Sequence, residues 1–240
     1  MKLRSPLILS VFLMIGLGGC TPTREITYDL KDVALRDSTS AVLEITRRIV
    51  LDIEPFEDIR QSVPGNDLLF VRERETNIDE KHSCINSEQH YKKGTVADQV
   101  AAIIAAHFEK RKSFKNVLAK NNGAADYYLT GKLKRLYGQQ EFSTSAQIGS
   151  FFGLIGAIAT SGAKTNGSIA IEFSELVLHH KSDAKEKPLE NFSDTFSGDL
   201  HADANCWAIY ENVNSQLKTA VGKLAPKIEQ AIAELESPKP

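Results

Sequence analysis

The C-terminal segment carries an apolar residue at every third or fourth position, which is the strongest helix signal in the chain. Pro226 lies inside this stripe and predicts a kink or a split, because proline cannot donate the backbone hydrogen bond of a helix. A helix with one apolar face has to bury that face, so the rest of the chain must supply a surface for it. The stripe comprises Ile209, Val213, Leu217, Val221, Leu224, Ile228, Ile232 and Leu235.

Strand-like segments surround a second helix. Residues 49–53 are rich in β-branched side chains and predict a buried strand, and apolar residues from Val96 to Phe108 recur at helical spacing. In the segment 168–179 the apolar positions change parity, which predicts a bulge near Ser174 and Glu175. Further strands are predicted at 68–71, 114–118 and 127–134, with 191–196 as a partner strand.

The succession of strand, helix, several strands and long helix predicts one α+β domain over residues 46–236. We expect an antiparallel or mixed sheet of about four to five strands, with two main helices packed on one face. The chain has 240 residues, 42% of them hydrophobic and 25% charged, and a net charge of -2, as in an ordinary globular protein. There is no basic excess, so no nucleic-acid partner is predicted.

A glycine-rich insertion at 142–166 interrupts the domain, and no charged residue lies between Glu141 and Lys164. Its apolar part is shorter than the ~18 residues of a spanning helix. Three interpretations stay open: packing on its own domain or on another subunit, docking into a membrane, or a mobile loop. The residues that would carry such contacts are Gly149, Phe151, Phe152, Gly153, Leu154 and Gly156.

The N-terminus has the three parts of an export signal. Lys2 and Arg4 give a positive start, residues 7–17 are apolar, and small residues precede Cys20. The apolar run is shorter than the ~20 residues of a membrane anchor, so cleavage is predicted.

The residues Leu17-Gly18-Gly19-Cys20 resemble the lipobox of bacterial lipoproteins. The resemblance implies that residues 1–19 are removed as a signal peptide, that Cys20 is lipidated, and that residues 20–45 form a lipidated N-terminus and tether. Two or three acyl chains hold a protein to a bilayer, because each buried methylene contributes about 0.8 kcal/mol. The next residue is Thr21, unlike the aspartate of an inner-membrane retention signal, which favours the outer membrane and its periplasmic face.

Two further cysteines, Cys84 and Cys206, remain in the mature chain. Because the compartment beyond the inner membrane is oxidising, an even pair predicts a disulfide. A pair of unrelated buried thiols is the alternative.

One titratable cluster could suggest a metal site: His179, His180, His201, Asp203 and Cys206. Adjacent residues of a strand point to opposite faces, so the two neighbouring histidines cannot both bind one ion, and Cys206 is assigned to the disulfide. The sequence contains no nucleophile elbow and no zinc-protease motif. We therefore expect no metal, no cofactor and no enzymatic activity.

The same succession of elements resembles a group of periplasm-facing lipoproteins: auxiliary lipoproteins of ABC-type transporters, curli-secretion-like lipoproteins and small outer-membrane lipoproteins. The matching segments are 51–60, the helix from Val96, 125–131, and the final helix through Tyr210, Asn212, Val213, Asn214 and Leu217. Curli-type lipoproteins build a pore from alternating β segments, and the insertion of this chain lacks that alternation.

The resemblance implies a non-enzymatic, lipid-anchored accessory or assembly subunit of a cell-envelope complex, with transport as one role of such complexes. Its partners would be the membrane, other envelope proteins and, in a homo-oligomer, copies of itself, with the sheet edge and the insertion as contact surfaces. The alternative is a membrane-active or pore-type oligomer formed through residues 148–159.

Overall fold

The computed structural model describes residues 39–60, 83–85, 96–119, 124–141, 164–182, 186–201 and 208–237. Within these ranges the chain forms three helices and one mixed sheet, so the expected combination of helices and sheet is confirmed. The helices are α1 (Ser40–Thr46), α2 (Val96–Arg111) and α3 (Ala208–Glu236). The strands are β1 (Val50–Ile53), β2 (Glu57–Asp58), β3 (Ser83–Ile85), β4 (Asn116–Leu118), β5 (Tyr127–Glu141), β6 (Lys164–His180), β7 (Glu186–Pro188) and β8 (Phe192–His201).

On each side of the central pair β5 and β6, more than one strand lies along the same neighbour. β1, β2 and β3 follow one another along one side of β5, the first two parallel and the third antiparallel to it. β7 and β8 follow one another along the far side of β6, both antiparallel. The described sheet has 8 strands, more than the predicted number, because segments of two or three residues are too short to show a periodic pattern.

The predicted bulge in β6 is present at Glu175. Thr130 pairs with Val177 and Lys132 with Ser174, so one extra residue of β6 lies between these pairs. Glu175 adopts a φ of 50°, and its carboxylate lies 2.8 Å from the Lys132 ammonium. The hydrogen bond to Glu175 raises the pKa of Lys132. The bulge returns the apolar residues on both sides of it to one face.

The two long helices pack on one side of the sheet, which we call the helix side. α2 contacts β1 and β4, whereas α3 contacts β5, β6 and β8, and the two helices contact each other. Their apolar residues form one continuous core with the strands. Among the fully buried side chains of this core are Leu51, Ile53, Ile104, Phe108, Tyr127, Leu129, Leu133, Ile171, Phe173 and Leu178.

Helix α3 is continuous through Pro226, so of the two outcomes predicted at this residue the split does not occur, and the kink stays a prediction. The flanking residues Leu224, Ala225 and Ile228 are each at most 1% exposed. Burial of the apolar stripe on both sides of the proline offsets the backbone hydrogen bond that it cannot donate. The helix also lies very close to β5, because a Cβ atom at Gly138 would stand 2.4 Å from Val213 Cγ2.

The contact between α2 and α3 contains charged groups. Arg111 Nη2 lies 3.4 Å from Glu229 Oε2, and their side chains are only 4% and 0% exposed. His107, one turn before Arg111, is fully buried. Burial and the nearby Arg111 charge lower the pKa of His107 to about 4, so the imidazole is neutral in the folded protein at neutral pH.

Two predicted boundaries need correction. Residues 40–45, assigned from the sequence to the tether, belong to α1, which contacts α3 and buries Val42 and Thr46. Residues 164–166, assigned to the insertion, begin β6 and pair with β8. Composition alone predicts these two boundaries, and it contains no information about the tertiary contacts of α1 and β6.

Several predictions fall outside the described residues: the signal peptide, Cys20, the strand at 68–71, the insertion residues 148–159 and Cys206. In the part of the chain that is described, no helix has both the length and the hydropathy needed to span a bilayer.

Candidate interaction edge

Strand β8 forms a border of the sheet that the described residues build. It pairs with β6 over its whole length, from Phe192 opposite Phe173 to His201 opposite Lys164. Among the described residues, no strand pairs with the other side of β8. A border strand has backbone N–H and C=O groups that its own sheet does not use. We call this side of β8 the β8 edge.

The two faces of β8 have different surroundings. The residues that point to the helix side are buried or partly buried, and they comprise Phe192, Asp194, Phe196 and Leu200. Those on the reverse side are exposed, short and mostly polar: Ser193, Thr195, Ser197, Asp199 and His201. This alternation fixes which face of the strand is inside, and therefore holds its register against β6.

Contacts with α3 hold β8 in place. The Asp194 carboxylate accepts hydrogen bonds from the Lys223 ammonium at 2.5 Å and the Gln216 amide at 2.8 Å, although Asp194 is only 7% exposed. Lys227 Nζ lies 5.9 Å from the centre of the Phe192 ring. A buried carboxylate with charged and neutral donors is well solvated by the protein, so these contacts fix the position of β8 against α3.

The charged residues of β8 are Asp194, which is buried and paired with α3, and Asp199, which is exposed, whereas other features that usually prevent strand addition are absent from this strand. Residues 192–201 include no lysine, arginine or proline. Proteins commonly place lysine or proline on border strands, or keep those strands very short. β8 is 10 residues long, and its one backbone irregularity is Gly198, with a φ of 148°. Such an edge is able to accept an extended strand from another chain.

A second polar arrangement joins β5, β6 and β7 on the reverse side of the sheet. His179 Nε2 lies 3.0 Å from Thr130 Oγ1, and His179 Nδ1 lies 3.0 Å from Glu186 Oε1. The order hydroxyl, imidazole, carboxylate occurs in activated nucleophiles. Here the side chains of His179 and Glu186 are 32% and 62% exposed, and the contacts link neighbouring strands of a sheet surface. We interpret them as cross-strand contacts.

The neighbouring histidines diverge, as the strand geometry predicted. His179 contacts Thr130 on the reverse side, whereas the ring of His180 packs edge-on against Tyr127, with centroids 4.9 Å apart. His201 is exposed at the end of β8, and Asp203 and Cys206 lie outside the described residues. No group of three metal-binding side chains is found in the part of the chain that the structure describes.

The predicted disulfide remains a prediction. Cys84 lies in β3, where its backbone pairs with Gln140 of β5, and Cys206 is outside the described residues. The insertion residues predicted as a contact segment, from Gly149 to Gly156, also lie outside them.

The sequence pattern predicts only the first half of β8. The predicted strand ended at Phe196, whereas β8 continues to His201. A buried aspartate and a glycine interrupt its apolar alternation, at Asp194 and Gly198. The even-numbered apolar residues Phe192, Phe196 and Leu200 are the signal that could have revealed its full length.

No family model matches the chain, and no curated protein matches it. The crystal structure of a Xanthomonas campestris protein described by the family model DUF330 covers 77% of this chain and 87% of its own, with 13% identity and a TM-score of 0.42. An uncharacterised protein of known structure covers 76% and 93%, with 9% identity and a TM-score of 0.38. These values are too low to assign the chain to a family.

Proposed function

We propose that this chain is a non-enzymatic, lipid-anchored accessory or assembly subunit of a cell-envelope complex, facing the periplasm from the outer membrane, and that it acts by binding through the β8 edge. The observation that carries the binding role is the length and exposure of this strand at the border of the described sheet. The lipid anchor rests on the resemblance of residues 17–20 to a lipobox.

A border strand that is held by contacts with a helix suits a binding subunit. Strand addition uses backbone hydrogen bonds for affinity and the alternating side chains for selectivity. On β8 the exposed Ser193, Thr195 and Ser197 are short, so a partner's backbone can approach without displacing long side chains. Asp194 is already held by α3, so it leaves no unpaired buried charge when a partner covers the strand.

The anchor is tested by replacing the acylated residue. Cys20→Ser in the full chain removes the thiol that would carry the lipid. We expect the precursor to keep its signal peptide and metabolic labelling with a fatty acid to be lost, whereas Cys84→Ser leaves both unchanged. Unchanged processing and labelling of the Cys20 variant would refute the anchored part of the proposal.

The binding role is tested by photo-crosslinking in intact cells. A photo-reactive amino acid in place of Ser197 reports contacts of the β8 edge, and the same residue in place of Ser215, exposed on α3, is the matched control. We expect a discrete crosslinked band from position 197 that is absent at position 215. Equal or absent bands at both positions would contradict a binding role for β8.

The second candidate function is a membrane-active or pore-type oligomer formed through residues 148–159. The observation that favours it is the uncharged stretch between Glu141 and Lys164. Replacing residues 148–159 with a short glycine-serine linker distinguishes the two functions. Loss of membrane permeabilisation or of the oligomer supports the pore, whereas retention of the crosslink at position 197 supports the accessory subunit.

A further inference from the structure

We infer that the β8 edge pairs with a second copy of this chain, antiparallel, about a two-fold axis through Phe196. The inference deepens the proposed function, since it names the partner of the same edge. It rests on the self-complementary order of side chains along β8.

The side-chain faces restrict the registers. Directly opposed residues of two antiparallel strands lie on the same face of the sheet. If both copies keep their helices on the same side, helix-side residues must oppose helix-side residues. The register centred on Phe196 meets this condition and pairs nearly the whole strand.

On the helix side this register places apolar residues together. Phe196 stands opposite the second copy's equivalent residue, and Phe192 stands opposite the residue equivalent to Leu200. Phe196 is only partly buried within one copy, so pairing would remove exposed aromatic surface from water. Asp194 faces the position equivalent to Gly198, where there is no side chain to displace its contacts with α3.

On the reverse side the same register pairs polar residues without opposing like charges. Thr195 faces the position equivalent to Ser197, and Ser193 faces the position equivalent to Asp199. Such pairs can form hydrogen bonds, and directly opposed like charges are avoided. Sliding either copy by two residues places Asp194 opposite an aromatic or leucine side chain and separates the two Phe196 rings. The Phe196-centred register is therefore the one that the side chains favour.

The register is tested with cysteines in the full chain. Thr195→Cys and Ser197→Cys are co-expressed on differently tagged copies and oxidised mildly in isolated membranes, and each is also expressed alone. Phe196→Cys alone tests the axis itself, since cross-strand disulfides form more readily at one of the two alternating kinds of residue pair. Ser215→Cys and the unsubstituted chain control for random collision and for the native cysteines.

We expect a disulfide-linked dimer in one of two forms. Either the mixed Thr195→Cys and Ser197→Cys sample gives several-fold more dimer than each variant alone, or Phe196→Cys gives dimer well above Ser215→Cys. Dimer at the control level in both experiments, or dimer well above that level that is as abundant in the single samples as in the mixed one, would overturn the inference. If position 197 still crosslinks to a different protein, the binding role of the edge survives and only its partner is wrong.

Discussion

The contact between α2 and α3 and the β8 edge place polar groups in opposite situations. At the helix contact, Arg111 and Glu229 are almost completely dehydrated and lie against each other. Along β8, Ser193, Thr195 and Ser197 are open to solvent. The first region uses its polar groups within the chain, whereas the second has exposed side chains and, within the described sheet, a row of backbone groups that no other strand pairs with. The difference separates residues that determine stability from residues available for binding.

The ion pair at the helix contact gives the largest expected effect. Glu229→Ala removes the carboxylate that faces the buried Arg111 guanidinium, so we expect a loss of about 3–5 kcal/mol in the free energy of unfolding, measured by urea denaturation. The double variant Arg111→Met with Glu229→Leu should recover most of this loss, because an apolar pair needs no solvation. A loss below about 1 kcal/mol for Glu229→Ala would show that water reaches this contact, and its polar groups would then be hydrated as those of β8 are.

His107 gives the next largest effect, through pH. Its pKa in the folded protein, about 4, lies below its ordinary value of 6.5, so the unfolded chain binds the proton more readily. The corresponding stability is fully present above pH 6.5 and is lost as the pH falls towards 4. As the pH falls from about 7.5 to about 5, we expect the lowered pKa of His107 to reduce the free energy of unfolding by about 2 kcal/mol.

The control for this pH effect is His107→Leu, which cannot titrate. Its free energy of unfolding should fall about 2 kcal/mol less than that of the natural chain over the same pH interval. The absolute stability of the variant does not matter, since only the difference between the two pH values is compared. Parallel pH profiles of the two proteins would mean that the imidazole is accessible to protons in the folded state.

The sequence predicted the parts of the fold that repeat over many residues. The stripe from Ile209 to Leu235 and the parity change at Glu175 appear in the structure as the buried face of α3 and as a bulge. Strands of two or three residues, such as β2 and β7, carry too little pattern to be detected. The continuity of α3 through Pro226 depends on packing against distant residues, which local sequence does not encode.

The Tyr127 hydroxyl belongs to a buried ring but bonds to an exposed acceptor, so it is intermediate between the helix contact and the β8 edge. Its removal should reduce stability less than the loss of the ion pair or the protonation of His107. It donates a hydrogen bond to Glu236 Oε1 at 2.5 Å, while its ring is fully buried under the end of α3. Burial, together with this hydrogen bond, raises the pKa of Tyr127. Tyr127→Phe should cost about 1 kcal/mol in urea denaturation, because the acceptor, which is exposed, can bond to water instead. A loss near that of Glu229→Ala would show that the end of α3 is as dry as its contact with α2.

A substitution at the β8 edge should have the smallest effect on stability, but it should abolish pairing of β8 with a second copy. Ser197 is exposed and short, so Ser197→Lys should change the free energy of unfolding by less than about 0.5 kcal/mol, as should Ser215→Lys on α3. A lysine on a border strand opposes strand addition, because pairing would dehydrate its ammonium group. Ser197→Lys should therefore abolish the cysteine-linked dimer, whether it is combined with Phe196→Cys or introduced into the Thr195→Cys copy of the mixed sample, whereas Ser215→Lys should retain it. If Ser197→Lys instead destabilises the monomer by more than about 1 kcal/mol, position 197 supports the fold, and the separation between stability and binding fails at this residue.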